Sequence, residues 1–397
     1  MSGEVLVAGV GAHPWGKWPD KSQLALALNA IDAALDDAGL GWRDVGALVA
    51  ASSRFEGGMG WGLHANEVAQ AVAEQPMACI NVGGACAAGA IAFHTAANLI
   101  ASGECDVAIA FGAERMPKGF IPRPPGGADD ITDTDFLRWV AMGATNPAYW
   151  AIEAMRRRAE HGTTDETLAR AAQLMRRHAA DNPLARFRDP LTVEQVLASP
   201  MVADPLHLLE ICPVSDGAAA VVLCSERMAR RTGARTARIA GSAIGSGAFG
   251  DPARRIPSIA STVNGGTIHT SEVISAARTA LDRAGLSPAD LDVLEMADNS
   301  AWHLLAWPEL LGLCEAGQAD WLIDHDGFGR DGIAALNPSG GFLSFGEATT
   351  AQALLQICEL VWQLRGDAGR RQVEGARVAM SAVLGLGANG GSVVLTT

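Results

Sequence analysis

The apolar and polar positions along the chain alternate between short apolar runs and stretches of helical period. Glu4-Val-Leu-Val-Ala-Gly-Val and Cys105-Asp-Val-Ala-Ile-Ala-Phe read as buried strands. Leu24, Leu28, Ile31 and Leu35 fall on one face of a helix that Gly39 ends in a left-handed cap. Strands and helices in alternation predict an α/β fold with buried, largely parallel strands. The pattern then repeats. Ala34-Leu-Asp-Asp-Ala-Gly-Leu returns as Ala280-Leu-Asp-Arg-Ala-Gly-Leu, an offset of 281 − 35 = 246 residues between Leu35 and Leu281. The same offset pairs Leu28 with Ile274, Gly39 with Gly285, Asp44 with Asp290 and Leu48 with Leu294. Residues 5–11 resemble 237–245 at the head of each copy, and the small-residue turn at 83–89 has a counterpart at 337–346. The expectation is a duplicated α/β unit, residues 1–235 and 236–397.

A segment of different character, about 115–205, interrupts the first copy. It holds Ile121-Pro-Arg-Pro-Pro-Gly-Gly, the acidic residues Asp129, Asp130, Asp133 and Asp135, and two charged helices near 149–161 and 165–180. The chain afterwards returns to sheet material at Asp216-Gly-Ala-Ala-Ala-Val-Val-Leu-Cys. The segment therefore reads as an insertion lying over the first half. Long connections in compact domains usually carry function.

Composition narrows the function classes. With 397 residues, 49% of them hydrophobic, the chain has material for a large core. A formal net charge of -14 argues against a nucleic-acid partner, which needs clustered Lys and Arg. No run of eighteen apolar residues predicts a membrane span, and the first residues lack a signal-peptide pattern, so a cytoplasmic protein is expected. The seven cysteines are scattered without metal-ligand spacing, which predicts free thiols and no metal. No glycine-rich dinucleotide motif stands in the required context.

One cysteine is unlike the rest. In Asn81-Val-Gly-Gly-Ala-Cys-Ala-Ala-Gly-Ala-Ile-Ala a strand ends in two glycines and a helix begins just after Cys86. A thiol at a helix amino terminus is expected to ionise more readily, its pKa falling from about 8.5 into a range of roughly 3.5 to 7.5. Nearby backbone N–H groups suit an oxyanion. The competing reading is an inert buried sulfur. Cys79, Cys105, Cys224 and Cys358 read as core, and Cys212 and Cys314 fit either description.

The run from Cys86 through Asn98-Leu-Ile-Ala-Ser-Gly-Glu-Cys-Asp-Val-Ala-Ile-Ala-Phe-Gly-Ala-Glu-Arg-Met resembles the nucleophile helix and following strand of the thiolase superfamily. Cys212-Pro-Val-Ser-Asp-Gly-Ala-Ala-Ala and Asn337-Pro-Ser-Gly-Gly-Phe-Leu-Ser-Phe-Gly resemble the sterol-carrier-protein-2 type and its actinobacterial lipid-transfer relatives. The resemblance implies a thiolase-like fold: two βαβαβαββ halves in a layered αβαβα arrangement with a loop-domain insertion. It also implies a homodimer acting on acyl-CoA thioesters in lipid or steroid metabolism, with Cys86 as nucleophile. Coenzyme A then enters only as part of the substrate, and no tightly bound cofactor is expected.

Three departures qualify this. Where thiolases carry Gly-His-Pro, the chain has Gly346-Glu347-Ala348, so Glu347 is the candidate base in place of an imidazole. Where they carry Asn-Glu-x-Phe or His-Asp-Cys-Phe, it has Ala297-Asp298-Asn299-Ser300, which makes Asp298 a second catalytic candidate with His303 close behind. The last glycine-rich loop lacks the expected second cysteine or histidine, and Asn389 is the polar side chain near its centre. Asn337, Gly341, Ser344, Gly346 and His303 are the expected substrate-binding residues, although Asn337-Pro-Ser-Gly-Gly is also a good turn and His303 also a good core histidine. Arg156, Arg157 and Arg158 would attract coenzyme A phosphates unless they form a solvated face. His13, in a loop with Trp15 and Trp18, is a candidate for an interface, and His94, within an apolar helix, reads as structural.

Losing a general base typically costs 10²- to 10⁴-fold, which argues against an ordinary thiolase. Three readings follow: a divergent thiolase-like acyltransferase, a retro-aldolase on a β-hydroxyacyl-CoA working through Glu347 and Asp298, and a non-catalytic acyl-CoA or lipid carrier. The retro-aldolase relatives share the Gly-Glu-Ala stretch but rely on tyrosines, and Tyr149 is the single tyrosine here. Such relatives pair with a small zinc-bearing, OB-fold protein of the DUF35 type, which is the implied partner.

Overall fold

The computed structural model describes residues 4–52, 62–72, 75–117, 145–246, 272–385 and 389–397. Its strands are β1 (Val5–Gly16), β2 (Ala47–Ala51), β3 (Ala78–Val82), β4 (Val107–Arg115), β5 (Met201–Ala203), β6 (Leu206–His207), β7 (Asp216–Ser225), β8 (Ala237–Ser246), β9 (Val293–Met296), β10 (Ala335–Leu336), β11 (Val378–Gly385) and β12 (Asn389–Thr396). Ten of these form a sheet in the order β10-β9-β11-β12-β8-β1-β7-β4-β2-β3, and β5 pairs with β6. From the β8–β1 boundary outward the two sides match strand for strand. The boundary itself is short, joining Leu6 to Arg238 and Val7 to Ala237.

The strands are less uniformly parallel than the sequence pattern predicts. β2 runs parallel to β3 and β4, and β9 to β10 and β11. β7 and β12, by contrast, insert antiparallel beside β4 and β11. The reason is connectivity: β12 returns from β11 as an adjacent strand, without the crossover helix that a parallel neighbour requires.

Each half seats its outer helix by the same device. The helix Gln23–Ala38 starts at Ser22, whose side chain accepts from Ala25 N, and ends at Gly39 with φ 63°. It lies so close to β1 that a Cβ on Gly9 would stand 2.2 Å from Ala34 O, and one on Gly11 2.3 Å from Ala30 O. In the second half a Cβ on Gly241 would stand 2.1 Å from Ala280 O, beneath the helix Glu272–Ala284. Ala34 and Ala280 are themselves a pair in the sequence repeat. The buried face of the first helix is centred on Leu26, Ala30, Ile31, Ala34 and Leu35, with Leu24 and Leu28 only half-buried at its margin.

Two central helices, Ala88–Ala101 and Gln352–Arg365, touch strands of both halves and pack on each other. They share one apolar cluster with the inward faces of both sets of strands, while the outer helices close separate clusters. The result is the αβαβα layering. The central helix of the second half starts at Gln352, so the segment at 337–346 is part of a longer approach to it rather than the turn itself.

The described helices of the insertion, Asn146–His161 and Asp165–Ala179, lie against second-half helices Ala301–Leu311, Gln318–Asp324 and Gly341–Phe345, while Leu184, further along the segment, accepts from Trp15 N of the first half. Arg157 is the anchor: its guanidinium donates to both carboxylate oxygens of Glu309 at 2.7 Å and to Asp320 at 2.6 Å. Arg156 pairs with Glu160 and Arg158 with Asp165. Arg157 is thus enclosed by carboxylates, while Arg156 and Arg158 form ion pairs at the surface. The Pro/Gly run and the acidic cluster at 129–135 lie outside the described residues. Among the described residues no helix is long and apolar enough to cross a membrane.

Candidate active site

Cys86 sits where β3 turns into the first central helix. After Gly83 and Gly84 the chain makes a single tight turn, Ala85–Ala87, before the helix Ala88–Ala101 begins. Ala85 holds φ 48°, a left-handed backbone that costs an L-residue roughly 1–2 kcal/mol. The last hairpin presses on this turn. A Cβ on Gly385 of β11 would stand 2.1 Å from Gly84 O and 2.8 Å from Ala87 N, and one on Gly391 of β12 would stand 2.5 Å from Ala90 Cβ. The second half therefore forms one wall around a turn of the first.

Glu347 reaches the same centre from the second half. Its backbone is clamped to the segment preceding β7: Glu347 N donates to Pro213 O, and Ser215 N donates to Glu347 O, both at 2.7 Å. Gly346 makes this possible, since its φ is 82° and a Cβ there would meet Ser215 Oγ at 2.4 Å. Asn299 Nδ2 donates to Glu347 Oε1 at 2.5 Å and also lies 3.9 Å from the Cys212 sulfur, which puts that thiol next to the carboxylate. Burial pushes Glu347 up to about 7, against the opposing pull of Cys212 and Asn299.

The electrostatics of Cys86 run opposite to the sequence expectation. Burial first, then the charge of Glu347, and more distantly Glu114, push its thiol well above the ordinary cysteine range. The hydrogen bond from its own backbone N–H works the other way and is outweighed. A single tight turn offers few oriented N–H groups, and two carboxylates oppose the thiolate. Cys86 rests as a neutral thiol.

Asp298 and Asn299 are sequence neighbours with different roles. Asp298 accepts from Phe342 N at 2.6 Å and from Leu343 N at 3.2 Å, capping the short helix Gly341–Phe345. Burial raises it to about 8 despite those bonds. A Cβ on Gly341 would meet Asp298 Oδ2 at 2.2 Å. Asn337 spends its side chain on Met296, accepting from Met296 N at 2.7 Å and donating to Met296 O at 3.0 Å. His303 is held among Trp150, Trp302 and Trp307, its Nδ1 accepting from Ser300 N, and burial lowers it to about 3. These three groups shape the loops behind the centre. Ser344 is fully buried with no partner for its hydroxyl among the described residues, and Asn389 opens β12 opposite Gly385.

Cys86 and Glu347, 261 residues apart in sequence, are brought together; Asp298 acts from behind, through Cys212. Three further groups escaped the sequence reading. Asn299 was visible in the aligned loop, one residue from the one chosen. Cys212, which the sequence leaves open between core and function, stands in the family-like run Cys212-Pro-Val-Ser-Asp-Gly, which marks the segment but assigns the thiol no role. Glu114, buried at the end of β4 and raised to about 7, accepts from Thr349 and Thr350 and is betrayed only by being a carboxylate ending an apolar strand. Among the described residues no cluster of three or more His, Cys, Asp or Glu has the arrangement to hold a metal ion. His13 is buried, bonded to Pro14 O and Lys21, and takes no part. His94 bonds Ser242 Oγ at 3.0 Å.

Residues 8–227 match the family model for the thiolase N-terminal domain, and residues 260–397 that for a thiolase C-terminal domain-like unit. The chain is 36% identical over 391 residues to acetyl-CoA acetyltransferase of Methanothermobacter thermautotrophicus, covering 96% of each. It is 34% identical over 322 residues to human sterol carrier protein 2, covering 80% of this chain and 57% of that protein. Among solved structures, an Ltp2-ChsH2(DUF35) aldolase superposes with a TM-score of 0.83 at 29% identity, covering 100% of this chain and 98% of the other.

Proposed function

The chain belongs to the thiolase family, and from that premise we propose that it cleaves a carbon–carbon bond in a β-hydroxyacyl-CoA by a retro-aldol reaction with Glu347 as the proton-handling residue. Glu347 takes the proton of the β-hydroxyl, the Cα–Cβ bond breaks, and the β-carbon leaves as an aldehyde or ketone. The electron pair passes to the thioester as an enolate, and the proton on Glu347 returns to Cα to give the shortened acyl-CoA. One observation carries the reading: a buried carboxylate titrating near neutrality stands where thiolases keep an imidazole, beside a thiol held neutral. The likeness to an aldolase over the full chain supports it.

A second reading is favoured by the whole-chain likeness to acetyl-CoA acetyltransferases. There Cys86 attacks the acyl carbonyl as Glu347 accepts its proton, and the acyl group moves by Claisen chemistry. In either case the substrate is an acyl-CoA of lipid or steroid type, Asn389 and Ser344 face its thioester end, and the protein works in the cytoplasm. A DUF35-type, OB-fold protein is the proposed partner, in keeping with the composition of that aldolase. A second copy is proposed to pair along β3, the edge strand on the first-half side of the sheet, where Ala78 and Asn81 are exposed.

The test supplies β-hydroxyacyl-CoA and β-ketoacyl-CoA thioesters with free coenzyme A, with and without such a partner, and identifies products by mass spectrometry. A carbonyl fragment plus shortened acyl-CoA from the hydroxy substrate is the expected result. Thiolysis of the keto substrate alone would move the assignment to acyl transfer. Failure to turn over either one would leave a carrier.

A further inference from the structure

Cys212 lies in the segment that ties the two halves together. Cys212 N donates to Asn299 O at 3.0 Å, Ile211 bridges to Ser300, and Val214 bridges to Glu347. The segment is thus pinned on one side to the loop carrying Asn299 and on the other to the backbone of Glu347. Between those pins the Cys212 sulfur is 3.9 Å from Asn299 Nδ2, the nitrogen that also donates to Glu347 Oε1. Asn299 Oδ1 has no partner among the described residues, so the amide has one productive orientation, with its N–H groups toward the sulfur and the carboxylate. Cys212 is itself buried, and Glu347, Asp298 and Cys86 all hold its thiol protonated. A neutral thiol in that place has its S–H free to donate.

Building on the role given to Glu347 above, we propose that Cys212 is a positioning residue: its thiol, locked beside the Asn299 amide, donates to the Glu347 carboxylate, fixes its orientation and favours its ionised form. The thiol missing from the last glycine-rich loop is thereby matched by one arriving from a different segment. The other groups around the carboxylate are accounted for. Asn299 donates to it, and Cys86 lies within reach of its charge from the first half. Asp298 acts on Cys212 and Glu114 on Cys86. The Arg186 guanidinium is spent on Val214 O and Ser215 Oγ. Among the described residues, Asn299 is the donor seated on the carboxylate and Cys212 is the thiol beside that donor.

The experiment follows the protonation of Glu347 directly, by infrared titration of its carboxyl band in the full-length protein, identified by its loss in Glu347→Gln. Removing a donor from a carboxylate raises its pKa, so Cys212→Ala should move the midpoint up from about 7 by on the order of one pH unit. Cys212→Ser, which restores a donor of nearly the same size, should return it to the wild-type position or below. With a β-hydroxyacyl-CoA substrate, kcat/KM at pH 7 should fall about fivefold in Cys212→Ala and recover in Cys212→Ser, with the acid limb of the pH profile displaced to match. Should the alanine variant lose its fold, Cys212→Val fills the volume without a donor and takes its place. An unchanged midpoint in the donorless variant overturns the proposal, whatever happens to stability. A displaced midpoint in a protein that turns over no thioester keeps Cys212 as positioned and sinks only the functional reading.

Discussion

The two central helices begin at matching places in a duplicated fold, yet their entry turns are built differently. The first, at Cys86, is a tight backbone feature, made of two glycines, a left-handed Ala85 and a strand pressed against it. The second approach, at Glu347, is held by hydrogen bonds to the segment before β7 and by the Asn299 side chain from another loop. Sterics position the sulfur, and polar partners position the carboxylate. Duplication thus supplied the scaffold twice, and the chemistry came from what each entry turn was later tied to.

The largest effect should come from the polar side of this pairing. Glu347→Gln keeps the shape and removes the titratable group, so kcat/KM should fall 10²- to 10⁴-fold, while Cys86→Ala should cost less than tenfold if the retro-aldol reading holds. Steady-state kinetics on both variants decides it, and a reversed ranking transfers the chemistry to the sulfur. The steric side breaks differently. Gly385→Ala places a methyl 2.1 Å from Gly84 O, and neither atom belongs to a side chain that can swing away. A loss of about 1–3 kcal/mol, or more, is expected in urea unfolding, with activity falling as the turn shifts.

A subtler contrast lies in pH. Glu347 has its folded pKa raised to about 7, above an ordinary value near 4.3, so its contribution to stability is fully present below the lower value and lost as pH rises through the higher. Wild type should therefore lose stability relative to Glu347→Gln between pH 5 and pH 8. The buried His178 and His303, whose lowered pKa values act in the opposite sense at acid pH, cancel in that difference. Urea midpoints of the two proteins at both pH values test the sign. The smallest effect is expected at Ala85, where glycine relieves a left-handed φ: Ala85→Gly should raise the melting temperature slightly, by the equivalent of at most about 1 kcal/mol, because unfolded-state entropy offsets part of the relief.

Much of the frame was legible because it depends on neighbours in sequence. The repeat, the Gly39 cap, the glycine-to-helix turn at Cys86 and the carboxylate of Gly346-Glu347-Ala348 all announce themselves within a dozen residues. What stayed hidden depends on contacts across long stretches. Arg157 in a run of three arginines looks like a solvated face until Glu309, 152 residues on, encloses it. Asp298 and Asn299 are adjacent letters, and only the packing of Gly341 beneath one and Glu347 beside the other separates their roles. The state of the Cys86 thiol was misjudged for the same reason: the helix is local and visible, whereas the opposing carboxylates are not.

The contact of Gly385 and Gly391 with the turn and helix around Cys86 has a consequence for how the molecule comes into being. Until the β11–β12 hairpin docks, the sulfur has no wall on that side. A refolding protein should regain its ellipticity ahead of its turnover, and ligand capture then reports the arrival of the carboxyl-terminal strands rather than the formation of the helices.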